Sequence, residues 1–277
     1  MHAIFTIAHL TLHDARRRKI VAAALAAGTA FLVVFGTALF FVNRELLSGR
    51  FSLIQHQVQL GMLTIAGLYA SNFLSVVFAV LVPVDALSGE IASGVMQTLA
   101  SKPIRRVDIL LGKWVGYWII TAVYLLLMAG GVALVSRAVT GFAQPNLQRA
   151  LPLMLLEVTL LLTLTIAGGT RLSTVANGIA AFGFYGLAFI GGWVEQIGAL
   201  GRIDAARTVG IAVSLISPAD SLWRLGAYHL QPSIARDLGM TPFSSASVPS
   251  VLMVWWAAGF TVMTLALAVR WFARRAL

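Results

Sequence analysis

The sequence predicts an all-α integral membrane protein with six transmembrane helices, on three observations. Of 277 residues, 59% are hydrophobic and 11% charged, against roughly 45–50% and about 25% in an ordinary soluble domain. Mean hydropathy is +0.88. The apolar residues lie in long runs spread from end to end, as one transmembrane domain over 1–277 requires. So few charges cannot cover a soluble globule, which excludes a soluble enzyme, a disordered chain and a disulfide-built secreted module. Cysteine is absent, so thiol chemistry and thiolate metal sites are excluded too.

A crossing helix needs about 20 apolar residues, ~30 Å at ~1.5 Å each. Uncharged runs satisfy this at 20–42, 60–84, 115–135, 175–194 and 248–269, and a sixth, 151–170, is interrupted only by Glu157. The first run is predicted to stay as an anchor. Its basic region reaches Lys19, its apolar core is longer than a signal peptide's, and no small-residue cleavage site follows. The run 208–217, between Arg207 and Pro218, is too short to cross and predicts a re-entrant or interfacial piece. Six crossings put both termini on one side. That side would carry twelve Lys and Arg residues, the other eight, several of them in the long segment 195–247. The positive-inside rule therefore predicts cytoplasmic termini. The net charge of +10 is topology signalling of this kind rather than a nucleic-acid footprint, since no basic run exceeds Arg16 to Lys19.

Three pieces lie between or before the spans. In 1–19, Ile4, Phe5, Ala8, Leu12 and Ala15 follow helical spacing, predicting an amphipathic helix in the headgroup layer with a basic end toward anionic lipid. In the cytoplasmic loop 85–112, Leu87, Ile91, Val95 and Leu99 recur every fourth residue, predicting a short amphipathic helix that stops before Pro103. Gly89 and Gly94 leave room for close approach. Such a helix suits either docking to a cytoplasmic partner or lying on the bilayer. In the external segment 195–247, Asp220 precedes Leu222, Trp223 and Leu225 and is placed to cap a helix starting at Ser221. This segment is expected to pack over the outer mouth of the spans as a lid, or to be a plain external loop.

Chemistry-bearing groups are sparse. Glu157 is the one acid inside a span, about 9 Å from Leu151 along a helix, near the outer rim, with Arg137 and Arg149 as candidate partners. A single rim acid weighs against a proton- or sodium-driven carrier. Asn72, with Ser71 and Ser75, sits mid-span in the second run, and Phe182, Phe184 and Tyr185 in the fifth. These groups join helices or contact cargo. His9 and His13 share a helical face but lack a third ligand, so no metal site is predicted. There is no GxxxxGK[ST] loop and no catalytic constellation. The chain is thus not predicted to be an enzyme, and any energy for pumping would come from another polypeptide.

The run from Asp85 through Gly89-Glu90, Gly94, Leu99, Lys102-Pro103 and Arg105-Arg106 to Gly112-Lys113 resembles the cytoplasmic loop of type 2 ABC-transporter permeases. The likeness extends over the chain: an amphipathic N-terminal helix, six spans, and short external helices between spans five and six. Ser217-Pro218-Ala219-Asp220 with Arg224 is similar to an Asn-Pro-x-Asp…Arg element of copper-processing permeases that serve nitrous oxide reductase maturation, with serine at its head. The resemblance implies that Leu87, Gly89, Glu90, Ile91, Gly94 and Leu99 belong to a coupling helix. Lys102, Pro103, Arg105, Arg106 and Lys113 flank it, with Glu90 and Arg105 or Arg106 as polar contacts to a separate ATP-binding subunit. It also implies ATP and Mg in that subunit, none in this chain, and a second permease chain with cargo passing between the two. Asn72, Ser75, Glu157 and Tyr185 would line the path, and Pro218, Asp220 and Arg224 would form an external gate. The setting implied is a bacterial inner membrane, with an exporter and possible room for a periplasmic accessory protein. The rival from another class is a membrane scaffold or maturation factor that only docks a partner.

Overall fold

The computed structural model describes residues 2–49, 52–94, 104–231 and 247–275, which form helices and turns with no strand among them. In order, the helices are α1 (His2–Arg16), α2 (Lys19–Ser48), α3 (Leu53–Leu81), α4 (Ser88–Ala92), α5 (Arg106–Thr140), α6 (Leu147–Gly169), α7 (Thr174–Leu200), α8 (Asp204–Ile216), α9 (Ala219–Leu230) and α10 (Val251–Arg274). Six of them, α2, α3, α5, α6, α7 and α10, are long and apolar enough to cross a membrane. The protein is therefore a multi-pass, all-helical membrane protein. The helices outrun the uncharged runs because polar residues continue them into the interface: Arg44 and Glu45 in α2, Arg137 in α5, Arg149 in α6 and Glu195 in α7.

Burial sorts the six. The most apolar stretches of α3 and α6 are 61% and 67% buried inside the protein, against 17% in α2 and 22% in α10. So α3 and α6 form the centre, and α2 and α10 lean on the outside. Lipid is as apolar as leucine, so small and hydroxylated residues decide which faces meet. On α3 these are Thr64, Gly67, Ser71, Asn72 and Ser75, all buried. Gly67 lies under the Phe35 ring of α2, where a Cβ would clash. Thr64 Oγ1 lies 3.0 Å from Ser136 Oγ on α5. Between α5 and α6, Trp114 Nε1 donates to Thr163 Oγ1 and Trp118 Nε1 to Thr159 Oγ1, each at 2.9 Å, two rungs one helical turn apart.

The N-terminal helix is seated on protein, which revises its expected face. Ile7, Ala8, Thr11 and Ala15 are buried, while Phe5 is 69% exposed. The cause is Gly112 and Gly116, four apart on α5, which let α1 approach backbone to backbone. A Cβ on Gly112 would stand 2.7 Å from Ile7 Cβ, and one on Gly116 would stand 2.8 Å from Thr11 Cβ. Phe5 and Leu10 then point away from the protein, in the position from which an interfacial helix dips into lipid.

Gly112→Val is expected to unseat α1 at a cost of about 1–3 kcal/mol of overpacking. Limited proteolysis of the purified chain should then cut within the first helix faster than in wild type, with a lower unfolding temperature. Unchanged cleavage would show that α1 is held by something other than this close contact.

Candidate functional site

At the α1 end of the bundle, the chain leaves α3 through tight turns and enters α4. The turns are closed by Ala86 N donating to Pro83 O and Gly89 N to Asp85 O, both at 2.9 Å. Three other elements hold this loop. Arg18, just before α2, pairs with Asp85 at 2.5 Å and donates to Val82 O at 3.3 Å. Lys113 of α5 pairs with Glu90 at 2.5 Å. Ser88 Oγ meets Thr174 Oγ1 at the start of α7 at 2.9 Å, and Asn177 Nδ2 of α7 donates to Val84 O at 3.1 Å. Beside the loop, Arg106 donates to Arg275 O, and Arg275 donates to Thr170 O at the end of α6.

Several expectations change here. An unbroken helix over 87–99 is not formed, because α4 ends at Ala92 and Gly94 adopts φ 77°, a left-handed conformation that glycine takes without strain. Leu99, Lys102 and Pro103 lie outside the described residues. Leu87 is a core residue, Ile91 and Gly89 are half-buried, and Arg105 is exposed as the residue preceding α5. Glu90, expected to face a partner, instead turns inward to Lys113, whose side chain is nearly buried. Arg106 is likewise engaged within the chain.

At the other end, α8 runs back antiparallel along α7, drawn close by glycines. Gly191 and Gly198 of α7 and Gly210 of α8 each lack room for a Cβ, against Val213, Ala206 and Glu195 respectively. The turn after α8 reaches the level of Phe184, whose carbonyl accepts from Ser217 Oγ at 2.9 Å. From Pro218, α9 climbs back, and Gln144 Nε2 and Asn146 Nδ2 donate to Leu230 O and His229 O at its end, at 2.5 and 3.2 Å.

Inside this hairpin lies a buried charge cluster. Arg224 Nη2 donates to Glu195 Oε2 at 2.8 Å, and Arg224 Nε stands 2.8 Å from Asp220 Oδ2 one turn earlier. Ser247 Oγ donates to Glu195 Oε1 at 2.6 Å, and Ser214 and Ser221 complete the shell. Asp220 does not cap the helix as expected. It lies within the first turn, after Pro218, and its carboxylate presses on Gly192 of α7. Burial pushes the Asp220 carboxyl up to about 6, against the pull of Arg224. Sequence reasoning missed Glu195 as Arg224's partner. It placed the end of the fifth span at 194, which made Glu195 a loop residue rather than part of a longer helix.

Between the two ends, Glu157 sits near the middle of α6, not at the rim, because the helix begins already at Leu147. It is fully buried and accepts from Asn72 Nδ2 of α3 at 3.0 Å. Neither Arg137 nor Arg149 pairs with it among the described residues. Ser75 is internally satisfied, its Oγ donating to Ser71 O at 2.8 Å. Tyr185 is half-buried beside Phe73, and Tyr69 packs against Trp223 of α9 at a tilt of 49°, with ring centroids 5.2 Å apart. Asn72, Glu157, Asp220 and Arg224 are thus brought into one interior. No group of three His, Cys, Asp or Glu residues suited to a metal occurs among the described residues.

The described residues thus form a polytopic helical bundle with a clamped loop at one end and a buried charge cluster at the other. Residues 5–277 match the family model described as ABC-2 family transporter protein, and the chain belongs to that family. It is the membrane-spanning permease subunit of an ABC transporter, and the family implies an ATP-binding partner. A comparison with curated proteins gives no match.

Removing Arg224 strands two buried carboxylates. Arg224→Ala should therefore cost about 3–5 kcal/mol, read as a large drop in unfolding temperature, whereas Arg202→Ala on the exposed turn should change little. A second expectation concerns pH. Native Asp220 takes up its proton near pH 6, above the ordinary carboxylate value of the unfolded chain. Its contribution to stability therefore rises as pH falls through that window and is lost as pH climbs back. Melting curves from pH 7 to pH 4 should show this rise in wild type and a smaller one in Asp220→Asn.

Proposed function

We propose that this permease couples ATP hydrolysis, in a separate cytoplasmic subunit holding ATP and Mg, to export of a cargo between two copies of the chain or two related chains. The observation that carries the reading is the loop at 82–94, fixed to α2, α5 and α7 at once. A push on such a loop is delivered to three spanning helices together, as rigid-body coupling requires. On this reading the loop and both termini lie in the cytoplasm, which the excess of Lys and Arg at this end supports, and the membrane is a bacterial inner membrane. Arg105, exposed at the head of α5, is the described basic residue best placed to meet the ATPase. Residues 99, 102 and 103 would complete the contact.

On the same reading the α8–α9 hairpin is the re-entrant outer gate. Broken helices at membrane depth are tolerated where protein covers them, and the Asp220–Arg224–Glu195 cluster locks this one. Asn72, Glu157 and Tyr185 face the interior that opening of the hairpin would expose. Ser75 would contribute through backbone position, its hydroxyl being engaged. A periplasmic accessory protein would meet the outer turns around 202. Nucleic acid has no part in this reading.

The test is co-expression with ATPase subunits from the neighbouring genes, purification through a tag on this chain, and vanadate-sensitive ATPase measurement. A co-purifying ATPase whose activity falls severalfold in Arg105→Glu supports the coupling reading. Glu90→Lys should also lower it, and the double exchange Glu90→Lys with Lys113→Glu should restore it, since the pair acts within the chain. Failure of the exchange to rescue would make Glu90 a direct contact. Failure of any ATPase to co-purify in detergent or nanodiscs would favour a scaffold that docks a partner without driving transport.

A further inference from the structure

A groove on the outside of the bundle has the shape and charge of a lipid site. It is an opening of about 430 Å³ between α6, α7 and α10, walled by Gly168, Ala180, Phe184, Phe260, Leu267 and Trp271. The wall is apolar, and its buried amide, Asn177, is already spent on Val84 O and Thr165 O. From Phe260 to Trp271 the groove follows eleven residues of α10, or ~16 Å. That is the depth of one leaflet, half of a hydrocarbon core of about 30 Å.

The charge lies at one end only. Arg171, exposed just beyond α6, stacks over the Trp271 ring at 5.6 Å. Arg274 follows Trp271 by three residues and so continues the stripe that faces the groove, with Arg270 beside it. None of these three arginines is in an ion pair among the described residues, whose ion pairs involve Arg18, Lys113 and Arg224. Arg275, nearby, is occupied in closing α6 through Thr170 O. A tryptophan at the interface with unpaired guanidinium groups above an apolar furrow matches an anionic headgroup over its acyl chain.

We propose that this groove holds one acyl chain of an anionic phospholipid, with its phosphate held by Arg171 and Arg274. The bound lipid ties the end of α6 to the end of α10 from outside, where α10 has little protein around it. This site rests on the membrane embedding of the chain and not on the coupling reading, so loss of an ATPase partner would leave it standing.

The purified full chain is to be delipidated and titrated with dioleoylphosphatidylglycerol or dioleoylphosphatidylcholine, reading bound lipid by native mass spectrometry and unfolding temperature in parallel. Wild type is expected to retain one phosphatidylglycerol per chain and to melt higher with it than with phosphatidylcholine. R171Q/R274Q should lose about tenfold or more in phosphatidylglycerol affinity, the scale of a lost charge-assisted contact, while its affinity for phosphatidylcholine is unchanged. A180F, from an exposed position on the wall, should lose both lipids with its helical circular dichroism intact. If A180F does not accumulate, Leu267→Trp on the opposite wall takes its place. Equal binding of the two lipids by wild type, or unchanged preference in R171Q/R274Q, overturns the proposal. So does a groove variant that breaks a dimer while keeping the lipid, since a second chain would then be the occupant.

Discussion

Hydrocarbon offers no hydrogen bonds, so every carbonyl freed at a helix end inside or near a bilayer must find a donor within the protein. Much of this structure follows from how that demand is met. Trp256 Nε1 of α10 donates to Leu215 O in the last turn of α8 at 2.9 Å. Gln144 and Asn146 serve the end of α9, Arg275 the end of α6, and Asn177 the turn after α3. In each case the donor comes from a different element than the carbonyl. The hydrogen bonds that satisfy the chain ends are therefore also the ones that fix which helices are neighbours.

Close approach through glycine does the rest. Apolar side chains cannot choose between lipid and protein, because both environments are equally oily. A missing Cβ can choose, since two backbones then come near enough for dispersion contacts that lipid tails do not reproduce. Gly112 and Gly116 select α1 as the neighbour of α5. Gly191, Gly198 and Gly210 select α8 as the neighbour of α7, and Gly192 opens the slot that Asp220 fills. The N-terminal helix thus becomes part of the bundle while keeping an apolar edge, Phe5 and Leu10, for the membrane.

The two ends of the molecule differ in how firmly they are held. Arg18 and Asp85 keep 30% and 42% of their side chains exposed, and such a pair contributes at most about 1 kcal/mol. On the same loop the Lys113–Glu90 pair is more enclosed, at 9% and 25% side-chain exposure. The Arg224 cluster is nearly dehydrated, with Arg224 and Glu195 at 9% and 6% side-chain exposure. Breaking it without replacing its partners is costly.

The sequence by itself determined the class: long apolar runs with few charges admit only helices across a bilayer, and the six runs reappear as six spans. It also carried the family, through the Gly-Glu, Gly and Gly-Lys spacing between spans two and three, and the family model over residues 5–277 agrees. Partners were decided only in three dimensions. Periodicity marked Phe5 as part of one apolar face, but the glycines of α5 turned that helix onto Ile7 and Thr11. Glu90 was legible as the acid of a family motif, while its pairing with Lys113 depends on the angle at which α4 leaves α3. Glu157 appeared to lie at the rim because an apolar run begins later than the helix that contains it. Glu195 was invisible as a site residue for the same reason at the far end of α7. Hydropathy measures what a residue is, and a span boundary drawn from it stops at the first charge. A helix continues until its backbone bonds end, so where each charge sits, and which charge it meets, belongs to the tertiary structure.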